Sequence, residues 1–114
     1  IKHTNPCGVA TGASAAGAYV AARDADALSA FGGIVGLNRA LDADTARALV
    51  ATFIEAVVAP AIDDEARAIV AAKPNMRVLT MATDAFRNAT SATLGRDVRS
   101  VLGGLLVQAR DVVA

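Results

Sequence analysis

The sequence predicts an α/β layered fold, a mainly parallel sheet with helices on both faces. Three observations carry that prediction. Short apolar runs alternate with capped helical patterns along most of the chain. The runs are apolar throughout rather than alternating with polar residues, as in a sheet covered on both sides. And 54% of the 114 residues are hydrophobic while only 4% are aromatic, so the core must be built from Ala, Val, Leu and Ile.

The elements follow in order. The chain opens abruptly in what reads as the end of a strand, without an initiator Met, which leads us to expect a fragment with an N-terminal part missing. An Ala-rich stretch predicts a helix near 13–23. "GGIVGLN" is a short apolar run between glycines and predicts a buried strand near 33–37. In "DADTARALVATF" either Asp42 or Asp44 can cap a helix near 43–53, with Ala46, Leu49, Val50 and Phe53 at helical spacing. "EAVVAP" predicts a strand near 55–59 that stops at Pro60. "DDEARAIVAAK" predicts a helix near 63–72, with acids at its start and Lys73 at its end, as the helix dipole favours. "MRVLTM" predicts a strand near 76–81. Residues 84–97 are polar and read as loop. A last strand is expected near 104–108, after a glycine pair.

Charge and composition exclude several classes of function. Lys+Arg and Asp+Glu both count 11, so the formal net charge is zero. Broad electrostatic attraction to nucleic acid or to an acidic membrane is not expected, although a small anionic ligand needs only a local group of donors. The apolar stretches are broken by charges or Gly short of the ~20 residues that span a bilayer. No secretion signal is visible. One cysteine cannot close an internal disulfide, so a reducing compartment is the default. There is no internal repeat, and the common glycine-rich nucleotide loops are absent.

The chemistry-bearing residues concentrate at the start, in "KHTNPCG". His3 is the only histidine, and imidazole is the side chain best suited to accept a proton near neutrality. Lys2 is a cation able to stabilise a developing oxyanion. Neighbours on a strand point to opposite faces, so both reach one substrate only where the strand ends or turns, and "NPCG" supplies turn residues. Taken alone, the pair reads more readily as exposed residues at a frayed terminus. A zinc site does not form: Pro6-Cys7 begins the deaminase pattern, but position 10 is Ala and there is no second Cys. Cys7 reads as a small turn residue. Gly32-Gly33, after Phe31, allows close backbone approach to a ligand or simply tight packing. Glu55, at a strand start, can accept hydrogen bonds from sugar hydroxyls or can be a solvated acid.

In combination, "KHTNPCGVA", "DALSAFGGIVGLNR", "FIEAVVAP" and "GGLLVQARD", in this order and at these spacings, resemble the transformylase domain of the bifunctional purine-biosynthesis enzymes. In these, aminoimidazole carboxamide ribonucleotide (AICAR) transformylase is fused to inosine monophosphate (IMP) cyclohydrolase. The resemblance covers essentially the whole chain. It implies formyl transfer from 10-formyltetrahydrofolate, a co-substrate, to the 5-amino group of AICAR, with no metal in this segment. By the same resemblance His3 is the general base and Lys2 the stabiliser of the tetrahedral intermediate. Gly32 lies against the nucleotide, Glu55 faces its ribose, and Asn5 and Phe31 shape the pocket.

The resemblance further implies that residues 1–114 are most of the first of two cytidine-deaminase-like lobes. The cyclohydrolase domain lies upstream, the second half of the transformylase follows, and the parent is a cytoplasmic homodimer with no nucleic-acid or membrane partner. The segment alone is expected to be inactive. A non-catalytic purine-nucleotide-binding lobe and a dimerisation lobe are the alternatives. The first would bind AICAR without transferring formyl, and the second would not respond to AICAR at all. Finally, Lys2, His3, Gly32 and Glu55 are expected to gather at one end of the sheet, outside the carboxyl ends of its strands, where ligands of open α/β sheets bind.

Overall fold

The computed structural model describes residues 1, 4–82 and 95–109. The chain divides into two units, residues 1–82 and 83–114.

The first unit is the α/β layer. Helix α1 (Ala15–Ala25) starts where Ser14 Oγ accepts the Gly17 N–H at 3.1 Å, a side-chain cap for one of the donors that a helix start leaves unpaired. Asp26 ends α1 and caps the single turn α2 (Ala27–Ala30), its carboxylate accepting the Ser29 N–H at 3.1 Å. Strand β1 (Gly33–Gly36) leads to α3 (Ala43–Val50), capped by Asp42 through the Thr45 N–H at 2.8 Å. Strand β2 (Ile54–Ala59), helix α4 (Asp64–Val70) and strand β3 (Arg77–Thr80) complete the unit. Apart from the single turn α2, which the sequence did not predict, each of these elements lies within a few residues of its sequence expectation. The largest difference is α3, which stops at Val50 so that Thr52 and Phe53 can lead into β2.

The sheet has the order β1-β2-β3 and both pairs are parallel. Val35, Val57 and Val78 stand side by side across it. They join Tyr19 of α1, Ala46 and Leu49 of α3, and Ala66 and Val70 of α4 in one aliphatic core. Leu41, Leu49 and Val57 are completely buried. Helices α1, α3 and α4 all contribute to this core, while Ile34 and Leu79 of the sheet remain 44% and 50% exposed. Ile1 sits against β1: its backbone nitrogen donates to the Ile34 carbonyl at 2.8 Å.

The second unit corrects the sequence reading. The expected last strand exists as β5 (Gly104–Ala109), but its partner is antiparallel: β4 (Arg96–Val101). The sequence predicts a polar loop at 84–97, but residues 96 and 97 belong to β4; residues 84–94 lie outside the described residues. The sequence "RDVRSV" hid the strand because three of its first four residues are charged, while the hairpin leaves nearly all of β4 exposed. The turn is Leu102-Gly103, with Gly103 at φ +83°, a backbone conformation that favours glycine.

Candidate functional site

The four expected site residues that fall among the described ones are Asn5, Phe31, Gly32 and Glu55. Lys2 and His3 lie outside the described residues.

Gly32 and Glu55 are brought together. Gly32 ends the turn out of α2 at φ +69°, and its N–H donates to the Phe53 carbonyl at 2.9 Å. This bond starts the β1–β2 pairing. Gly33 then faces Ile54, but Ile34 faces Ala56, so Glu55 is an extra residue in β2 opposite no residue of β1. Such a bulge re-aims a side chain and breaks the inward–outward alternation. Ile54, Ala56 and Val57 are buried while Glu55 is exposed.

The carboxyl-end expectation is therefore corrected for these two residues. Gly32 immediately precedes β1, and Glu55 is the second residue of β2. Both stand at the amino ends of their strands. The left-handed turn and the bulge, rather than loops beyond the strand ends, position the half-buried glycine and the exposed carboxylate.

Phe31 stacks at a tilt on Phe53, ring centroids 5.2 Å apart, and both rings are substantially exposed. They line a cleft of about 530 Å³ together with Lys73, Asn75 and Met76. Phe53 was not singled out as a site residue from the sequence. The available signal was that Phe31 and Phe53 are two of only three phenylalanines, each one or two residues from a candidate site position.

The opening motif meets the glycine motif in a second, larger cleft of about 670 Å³. Ile1, Pro6, Cys7 and Gly8 line it from one side and Gly33 and Ile34 from the other. Asn5 is exposed beside this segment. Thr4 takes φ +63°, the only non-glycine positive φ among the described residues, so the backbone turns sharply just after position 3. Gly8 serves close approach: a Cβ there would stand 1.9 Å from the Ala22 carbonyl oxygen of α1. Arg23 also lines this cleft. Its Nε donates to Asp24 at 2.7 Å, and this bond holds the Asp24 carboxyl below its ordinary range. Cys7 is partly buried and unpaired. Among the described residues no group of three or more His, Cys, Asp or Glu could hold a metal ion, and no helix is long and apolar enough to cross a membrane.

A parallel three-stranded sheet with capped helices, a left-handed glycine turn and a bulge at Glu55 defines the class: an α/β layered lobe. Comparison with known proteins gives the family. The family model for the AICARFT/IMPCHase bienzyme matches residues 1–114, and the chain belongs to that family. It is 53% identical over 111 residues to the bifunctional purine biosynthesis protein PurH of Synechococcus elongatus, covering 97% of this chain and 20% of the relative. The protein of the same name from Prochlorococcus marinus is 54% identical over 112 residues, covering 97% and 21%. That from Sorangium cellulosum is 52% identical over 119 residues, covering 100% and 21%. The chain thus spans about one fifth of the length of these relatives.

Proposed function

We propose that residues 1–114 form most of the first lobe of an AICAR transformylase within a longer, cytoplasmic, homodimeric enzyme that also closes the product to IMP. The observation that carries this reading is the Gly32 turn, bonded to the Phe53 carbonyl where β1 meets β2, two residues before the bulged Glu55, in a chain of this family. A glycine turn near an exposed carboxylate suits a ribonucleotide, with Gly32 against the nucleotide and Glu55 accepting from ribose hydroxyls. Phe31 and Asn5 shape the surrounding pocket.

The reaction is acyl transfer. The 5-amino nitrogen of AICAR attacks the formyl carbon of 10-formyltetrahydrofolate, and a C–N bond forms. His3 takes the proton that the amine must lose, a role worth about 10²–10⁴ in rate. Lys2 stabilises the oxyanion, and losing one such donor typically costs about 10²–10³. The intermediate then collapses with cleavage of the bond to N10 of the folate, and that nitrogen regains a proton as tetrahydrofolate leaves. AICAR's amine is a weak nucleophile because its lone pair is drawn into the ring and the carboxamide, so proton removal and oxyanion stabilisation have to act together.

The test is an assay of the purified full-length protein with AICAR and 10-formyltetrahydrofolate, following release of tetrahydrofolate. Formyl transfer dependent on both substrates is expected. AICAR binding by calorimetry without turnover would replace this reading with a non-catalytic nucleotide-binding lobe, and no binding at all would leave a structural role.

A further inference from the structure

We propose that Phe53 is a positioning residue that sets the Gly32 turn and the Glu55 carboxylate in register for the nucleotide. The inference rests on the transformylase reading of the site. Four contacts converge on this residue and its immediate neighbour. The Phe53 carbonyl accepts the Gly32 N–H at 2.9 Å. Its ring occupies the space on the side of Gly32 where a side chain would begin: a Cβ on Gly32 would lie 3.3 Å from Phe53 Cε1 and 3.5 Å from Cδ1. The same ring stacks on Phe31. The preceding residue is fixed to the core, since Thr52 Oγ1 lies 2.9 Å from the hydroxyl of Tyr19, which is only 5% exposed.

Burial within residues 1–114 does not account for the phenyl group. Phe53 is 49% exposed and its partner Phe31 is 72% exposed, so the pair gains only part of what an interior aromatic would. What the ring does is local. It holds Gly32 in a left-handed conformation against one flank while its own backbone bonds the turn. Ile54, 5% exposed, then anchors the chain, and the bulge at Glu55 follows at once. A ring two residues before the carboxylate and in contact with the turn glycine therefore couples the two nucleotide-facing positions. Small displacements of such contacts have large effects on binding and rate.

The experiment uses the full-length enzyme, with Phe53→Leu, Phe53→Met and Phe53→Tyr beside the direct-contact controls Gly32→Ala and Glu55→Ala. Contacts to the nucleotide are present in both ground and transition states, so their loss appears in KM. Phe53→Leu and Phe53→Met are expected to raise the AICAR KM roughly tenfold or more, with kcat and the KM for 10-formyltetrahydrofolate near the parent values. Phe53→Tyr, which keeps the flat ring, should restore the parent KM. If Phe53→Leu does not fold, Phe53→Met carries the same expectation. A lowered Tm with an unchanged AICAR KM, while both controls raise it, would overturn the positioning role and leave the site intact. If Gly32→Ala and Glu55→Ala also leave AICAR binding unchanged, the site reading itself falls, and the role of Phe53 with it.

Discussion

The Tyr19 hydroxyl and Thr52 Oγ1 lie 2.9 Å apart, 33 residues distant in sequence, and they tie α1 to the segment that enters β2. Thr52 also donates to the Leu49 carbonyl at 3.3 Å, so its hydroxyl is not orphaned when the tyrosine is changed. Tyr19→Phe should therefore cost only the net value of one hydrogen bond, about 0.5–1.5 kcal/mol. Tyr19→Ala, which also empties a core position, should cost about 3–5 kcal/mol. Urea unfolding would measure both, with an unchanged slope for the phenylalanine variant.

Gly8→Ala should be far more damaging than its place in a turn-like motif suggests. The added methyl would meet the Ala22 carbonyl oxygen at 1.9 Å, with the carbonyl carbon at 2.9 Å. Both are backbone atoms of a helix and cannot rotate away. The segment must lift from α1 or the helix must shift, and overpacking of this kind costs about 1–3 kcal/mol, occasionally more. Gly104→Ala makes a control, since a Cβ there meets nothing within 4 Å. Comparing the unfolding midpoints of the two variants checks the prediction. Equal stabilities would mean that the opening motif does not rest on α1.

Asp42 gives the stability of the first unit an acid dependence. Its carboxyl is held below the ordinary carboxylate range by Thr45, through the hydroxyl and through the backbone N–H. The N–H makes the short bond, 2.8 Å, whereas the buried hydroxyl reaches no partner with hydrogen-bonding geometry, so we assign the shift mainly to the N–H. A depressed folded-state pKa stabilises above the unfolded value of about 3.9, and that stability is lost as pH falls through the lower folded value. Asp42→Ala should cost about 1 kcal/mol at neutral pH, with the gap to the parent narrowing in acid. Asp42→Asn, a neutral cap, should stay close to the parent at pH 7 and lose less on acidification. Thermal melts across pH 2–7 would show whether the parent curve falls toward that of Asp42→Ala while that of Asp42→Asn holds.

The three parallel strands were legible because their apolar runs are continuous, as burial on a sheet requires, while α1 was legible from its alanines and α3 from its helical spacing and the acids at its start. Strand β4 was not legible, because Arg96, Asp97 and Arg99 make it polar and its pairing with β5 depends on a turn whose demand falls on Gly103. At the site, residue types were readable but backbone geometry was not. Nothing in "FIEAVV" distinguishes a regular strand from one in which Glu55 is the extra residue. The glycine of "NPCG" reads as turn chemistry, yet its φ is not in the left-handed range and its use is close approach to α1. The strand-end rule for α/β sheets pointed to the carboxyl ends, whereas Gly32 and Glu55 use the amino ends, because a turn and a bulge can position a glycine and a carboxylate wherever they occur.

The last prediction separates chemistry from binding in the proposed transformylase. His3→Ala should lower kcat for formyl transfer by about 10²–10⁴ and leave the AICAR Kd nearly unchanged, because a general base acts mainly in the transition state. Lys2→Ala should behave in the same way, by about 10²–10³, since the formyl oxyanion does not exist when AICAR binds. Glu55→Ala should do the reverse and raise the AICAR KM with a smaller change in kcat, because a ribose contact is made before and during the reaction. Glu55 is exposed on its bulge, so its removal leaves no buried partner unpaired, and Tm should hold within a few degrees. Steady-state kinetics and calorimetric titration of the three variants in the full-length enzyme decide the matter. Near-normal turnover with weakened AICAR binding in His3→Ala would move the Lys2-His3 pair from the chemical step to nucleotide recognition, and the proton acceptor would then have to come from outside this segment.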